Sequence, residues 1–118
     1  MTIAIYCRTA SNSQDSAASI KRQEEVCRAW LQDNKDPHSE RAVAFKDAGI
    51  SGVQVCNGEA FNELLERCQH REFSLVVCYS MDRLGRHAST LAGVIGNLGA
   101  YGVRVRSVTE PNGGTAHA

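Results

Sequence analysis

Seven consecutive residues, FSLVVCY at Phe73–Tyr79, constrain the fold more than any other stretch of the chain. The run is continuous, uncharged and rich in β-formers, as expected of a strand covered on both faces. Its neighbours fit that picture. Ile3–Cys7 alternates and then runs apolar, which reads as a first strand, and Ala42–Phe45 reads as another. Between them, Ser19–Gln32 repeats Ile20, Cys27, Trp30 and Leu31 among charged residues, the pattern of a helix with one buried face. Turn formers and a proline in DNKDPH, Asp33–His38, end that helix. DAGISG at Asp47–Gly52 reads as a loop, and Glu59–Arg71 sets Phe61, Leu64, Leu65 and Cys68 on one helical stripe. Ala88–Tyr101 places Leu91, Ile95 and Leu98 at helical spacing, weakened by three glycines. Val103–Val108 alternates valine with Arg104 and Arg106, a half-exposed strand with the arginines on its solvated face. Strands alternating with helices predict an α/β fold: a three-layer α/β/α domain with a largely parallel sheet of four strands or slightly more, joined by right-handed crossovers.

Composition narrows the functional classes. A chain of 118 residues is the size of one domain. Thirteen Lys and Arg balance thirteen Asp and Glu, so no global field draws it to nucleic acid or to a membrane, and any contact with DNA must come from a local patch. No apolar run approaches the roughly 18 residues of a membrane span. The N-terminus lacks the features of a signal peptide, and a cytoplasmic location is expected. Five cysteines, Cys7, Cys27, Cys56, Cys68 and Cys78, are widely spaced and read as buried free thiols. CxxC, HxxxH and HExxH are absent, which leaves no ready metal site.

In an open parallel sheet, ligands bind beyond the carboxyl ends of the strands. After the first strand come Arg8, Thr9 and Ser11; after the second, Asp47 and Ser51; after the third, YSMDRLGR at Tyr79–Arg86. Parallel strands bring all three segments to one sheet edge. Arg83 and Arg86 are three apart, so in a helical turn they share a face and suit a two-pronged clamp on phosphate oxygens. A solvated Asp-Arg pair in a loop accounts for the same residues. GxxxxGK[ST], a strand-linked GxGxxG, a cysteine-phosphatase loop and GxSxG are all missing.

YCRTAS at Tyr6–Ser11, SIKRQ at Ser19–Gln23, DAGISG and YSMDRLGR together resemble the successive motifs of the serine site-specific recombinases, the resolvase and invertase family, in the family's order. The resemblance implies a resolvase-like catalytic domain over residues 1–111, with 112–118 a tail or the start of a linker to a DNA-binding region. It implies a reaction without metal or other cofactor, in which a serine hydroxyl attacks a DNA phosphodiester and is left on the 5′ phosphate. Carried over by position, Ser11 is the nucleophile, Arg8, Arg83 and Arg86 hold the phosphate, Asp82 orients or exchanges protons, and Tyr6, Gln23, Asp47 and Ser51 support the site. The implied partners are DNA and further copies of the chain, a tetramer for a complete recombinase and a monomer or weak dimer for this domain alone. Two positions depart from the pattern. The family's nucleophile lies two residues after the arginine, where this chain has Ala10, and Gly58 stands where a further arginine is expected. These departures carry an alternative: a recombinase-like module that binds DNA or a recombinase without cutting.

Overall fold

A computed structural model describes residues 2–10, 14–34, 41–50, 58–85 and 88–109. Strands β1 (Thr2–Thr9), β2 (Val43–Ala48), β3 (Phe73–Cys78) and β4 (Arg104–Ser107) form one sheet in the order β2-β1-β3-β4, and every pair is parallel. Helices α1 (Gln14–Asp33), α2 (Glu59–Gln69) and α3 (Ala88–Ala100) make the crossovers. Because side chains alternate across a strand, each strand serves two cores. Ile3, Ile5 and Cys7 of β1 and Leu75 and Val77 of β3 pack with Ile20, Cys27 and Leu31 of α1. Ala4, Tyr6, Val76 and Cys78 face the other way, onto Phe61, Leu64 and Cys68 of α2 and Val94 and Leu98 of α3. Phe73–Cys78 is thus covered on both faces, and the three-layer α/β/α expectation holds.

The chain winds outward from β1 to β2, then crosses back over β1 to β3. That reversal falls between β1 and β3, and in such sheets ligands usually bind beyond the carboxyl ends of the strands at this point. Among the boundaries that differ from the sequence reading, those of α1 and β2 lie beside the end of β1. Helix α1 starts at Gln14, five residues before Ser19, with Asp15 in its first turn, where an acid suits the helix dipole. Strand β2 continues through Asp47 and Ala48, read from sequence as loop, because β1 extends to Thr9 and pairs Arg8 with Asp47 and Thr9 with Ala48. A short 3₁₀ turn at Met81–Arg83 follows β3. Trp30 is partly buried against the α1 core. Cys7, Cys27, Cys68 and Cys78 are buried and free, while Cys56 lies outside the described residues. No helix among the described residues is long and apolar enough to cross a membrane.

Candidate functional site

Pairing of β1 with β3 stops at Tyr6, and beyond it the Gln23 side chain takes over the main chain of Arg8. The Arg8 amide donates to Gln23 Oε1 and Gln23 Nε2 donates to the Arg8 carbonyl, each at 3.1 Å. Those two bonds tie the end of β1 to α1, and within the helix Nε2 also donates to Ser19 Oγ at 3.3 Å. Gln23 is buried, and it reaches Arg8 because α1 runs back along the sheet.

The Arg8 guanidinium turns inward. Nε donates to the Arg83 carbonyl at 3.0 Å, Nη1 to the Ile50 carbonyl at 2.6 Å and Nη2 to the Asp82 carbonyl at 2.6 Å. Residues 42 and 75 positions distant are thereby fastened to β1. The 3₁₀ turn spends its own bonds on Arg83 N to Ser80 O and Leu84 N to Met81 O, so the next two carbonyls, of Asp82 and Arg83, fall to Arg8. Gly85 follows the turn: a β-carbon there would lie 2.8 Å from the Leu91 amide nitrogen, so the backbone at Gly85 rests directly on α3.

Asp47 faces the α2 side of the sheet, 6% exposed. Its Oδ1 accepts from the Ala60 amide at 3.0 Å, and Oδ2 from the Phe61 amide at 3.0 Å and from the Tyr6 hydroxyl at 2.8 Å. A carboxylate at a helix N-terminus satisfies amides that have no partner in the helix and meets the positive end of the dipole. Gly58, the residue before α2, contributes no side-chain cap, and a β-carbon on it would stand 2.2 Å from Asp47 Oδ2. Burial first, and then the neighbouring Asp47 carboxylate, push the Tyr6 hydroxyl well above its ordinary pKa, so it remains a donor.

Arg83 is half-buried beside the Tyr79 ring, with its guanidinium carbon 6.0 Å from the ring centre. Its Nε lies 4.0 Å from Asp82 Oδ1 and is buried without a hydrogen-bond partner. Asp82 is exposed and accepts a hydrogen bond from Ser80 Oγ. The structure therefore brings Arg8 together with Gln23, Asp82 and Arg83, and Tyr6 together with Asp47, at the carboxyl-end side of the sheet. Ser11, Ser51 and Arg86 lie outside the described residues. Sequence reasoning misses the Ile50 carbonyl as a partner of Arg8, and Asp47 as the cap of α2. An acid ending a strand, followed by a helix whose own leading residue is glycine, is the signal for the second. Among the described residues no group of three His, Cys, Asp or Glu side chains is placed to hold a metal ion.

Comparison with known proteins bears on the fold and the family. A sequence search of curated proteins finds no significant match. Among solved structures, the N-terminal catalytic domain of TP901-1 integrase superposes with a TM-score of 0.78 at 21% identity, over 92% of this chain and 78% of that one. A resolvase family site-specific recombinase from Streptococcus pneumoniae gives 0.75 at 20% identity, over 98% and 76%. The C-terminal catalytic domain of an IS607-like serine recombinase gives 0.75 at 18%, over 95% and 70%. At such identities the likeness is one of fold. The sequence itself matches the model of the resolvase N-terminal domain over residues 3–118, and the chain belongs to that family.

Proposed function

We propose that this chain is the catalytic domain of a serine-type site-specific recombinase, cutting and rejoining DNA through a 5′-phosphoserine link. The observation that carries the reading is the Arg8 guanidinium bound to the Asp82 and Arg83 carbonyls, because it joins the end of β1, which leads into Ser11, to the arginine-bearing turn after β3. In the proposed step the Ser11 oxygen forms a bond to phosphorus as the bond from phosphorus to the 3′ oxygen breaks. The serine proton leaves to a base, and the departing 3′ oxygen gains a proton. One phosphoester replaces another, so rejoining needs no nucleotide triphosphate. Arg83 and Arg86 supply bidentate, permanently charged donors for the oxygens on which negative charge grows. Asp82, exposed beside Arg83, orients that arginine or exchanges protons with solvent.

A second reading has its own support. Gly58 leaves the site without the arginine that the family pattern places there, and Asp47 fills the space a side chain would need. Losing one preorganised cation from a phosphoryl site costs on the order of a hundred- to thousandfold in rate. On this account the domain binds DNA or a recombinase partner without cutting. Incubation of the full-length protein with supercoiled DNA, followed by denaturation and detection of covalent protein-DNA adducts, separates the two. The cutting enzyme gives adducts that Ser11→Ala abolishes. DNA binding without adducts in either protein establishes the non-cutting module.

A further inference from the structure

Helix α1 packs over β1 and leaves part of the sheet's margin uncovered. Strand β2 forms that margin, and its side chains alternate: Phe45 and Asp47 turn towards α2, whereas Lys46 and Ala48 stand on the α1 side, both exposed. Between these two and the facing stripe of α1, which carries Ala17, Ile20, Lys21 and Glu24, runs a cleft of about 590 Å³. The recombinase reading makes no use of it. Glu24 closes one end, reaching from α1 to Lys46 at 2.7 Å while it holds Arg28 at 2.8 Å. Arg28 Nη1 donates in turn to the Ala42 carbonyl, just before β2, at 3.1 Å. These contacts brace the two walls against each other.

Volume and lining narrow the occupant. Ligand sites commonly span about 300 to 1,000 Å³ and combine an apolar wall with a few polar groups that fix orientation. Ala17, Ile20 and Ala48 supply the apolar wall. Glu24, the acid among the described lining residues, is already shared by two cations. Lys21, one helical turn before it, makes no ion pair among the described residues. An apolar wall beside one unmatched ammonium complements an apolar body that carries a single negative charge. A cationic ligand meets Lys21 and Lys46 with no acid to spare, and a bare phosphate of a DNA backbone has nothing to lay on the apolar wall.

We propose that the cleft between α1 and β2 binds a small amphiphilic monoanion, with an aromatic or branched apolar body on Ala17, Ile20 and Ala48 and its acid group at Lys21. A ligand seated there touches both walls, and it stabilises the folded chain by mass action. The inference goes beyond the recombinase reading and does not depend on it.

The test adds anilinonaphthalene sulfonate, linked aromatic rings bearing a single sulfonate, to the 118-residue chain. Its fluorescence is expected to rise to saturation at one probe per chain. In nitrogen-15 spectra the amides of Ala17, Lys21 and Ala48 should shift while those of α3 stay in place. Ala48→Trp fills the cleft from β2 and should weaken binding by about tenfold or more. Ala17 and Ala48 are both exposed, so neither added ring has to enter the core; should Ala48→Trp fail to fold, Ala17→Trp fills the same space from α1. Lys21→Gln should weaken the sulfonate probe by about two- to fivefold, the range of an exposed ion pair. It should leave the binding of phenylnaphthylamine, the same rings without the sulfonate, unchanged. Amide shifts scattered over the surface, or an affinity untouched by filling the cleft, would mean adventitious binding only and defeat the site. Equal losses for the two probes in Lys21→Gln overturn the assignment of the acid group. Absence of binding by the wild-type chain at millimolar probe overturns the proposal outright, and none of these outcomes bears on whether the chain cuts DNA.

Discussion

Asp47 shows how one side chain settles what its neighbours are allowed to be. Its carboxylate is buried and takes three hydrogen bonds, two from the first amides of α2 and one from Tyr6. Hydrogen bonds to a charged group contribute about 1.5 to 3 kcal/mol each where they are made, so the carboxylate does not yield readily to an intruding atom. A β-carbon at residue 58 is such an intruder, at 2.2 Å from Oδ2 and 2.7 Å from Cγ. Gly58→Ala is therefore expected to destabilise the domain by about 2 kcal/mol, measured by urea unfolding. In an Asp47→Ala background, which removes the obstacle, the same substitution should cost under about 0.5 kcal/mol, because only coupled residues depart from additivity. Equal costs in the two backgrounds would refute the steric account. The argument reaches function as well: an arginine placed at 58 meets the same carboxylate, so Gly58→Arg lowers stability and does not restore the missing cation.

At the level of elements, α3 is the one most open to improvement. It carries no acid in its first turn and no base in its last, and among its thirteen residues only Val94 and Leu98 are buried. Gly93, Gly96 and Gly99 face open space, with nothing within 4 Å of an added β-carbon. A glycine inside a helix costs about 0.5 to 1 kcal/mol relative to alanine through backbone entropy. Gly96→Ala should raise the melting temperature by about 2 to 5 °C in a calorimetric scan; no rise would mean that the helix needs this glycine for a contact made in another state. The elements also differ in how legible they are. Phe73–Cys78 and the Phe61–Leu64–Cys68 stripe can be read from the sequence because burial imposes its period on residue type. The first turn of α1 cannot, because Gln14, Asp15 and Ser16 carry no apolar signal, and Asp47 reads as loop because its strand conformation comes from β1, dozens of residues away. At the site, parallel topology is enough to expect Arg8 and the DRL turn on one edge. Which carbonyls Arg8 binds is not legible, since main-chain direction is a property of the folded path and not of any residue's identity.

On the scale of the whole molecule, the same double-sided burial that builds the sheet also bounds the pH range over which it is stable. On the acid side stands Glu24, which bridges Lys46 at 2.7 Å and Arg28 at 2.8 Å. The Lys46 contact lowers its pKa below the ordinary 4.5; burial opposes that, and the Arg28 contact adds to the lowering, which prevails. A carboxylate whose pKa is lowered by folding stabilises the folded chain fully above its unfolded value, and loses that contribution as pH falls from there through the folded one. Lys46 and Arg28 are well exposed, so water screens the pair and its effect stays within about 1 kcal/mol. The alkaline side is steeper. Burial between sheet and helices pushes the Cys7 and Cys27 thiols up to about 12 and the Cys68 thiol up to about 11, from an ordinary 9.0. For these groups the sign is reversed: below about pH 9 both states hold the proton and nothing is lost, whereas above it the unfolded chain ionises and the folded chain does not. Each such thiol then lowers stability by about 1.4 kcal/mol per pH unit. Urea unfolding repeated between about pH 8 and about pH 10.5 should show a level region followed by a decline. In Cys27→Ala the decline should be shallower by one proton, about 1.4 kcal/mol per unit, whatever the cavity does to stability at about pH 8. An unchanged slope in that variant would mean that Cys27 ionises as readily inside the fold as outside it, which a thiol sealed between α1 and β1 does not do.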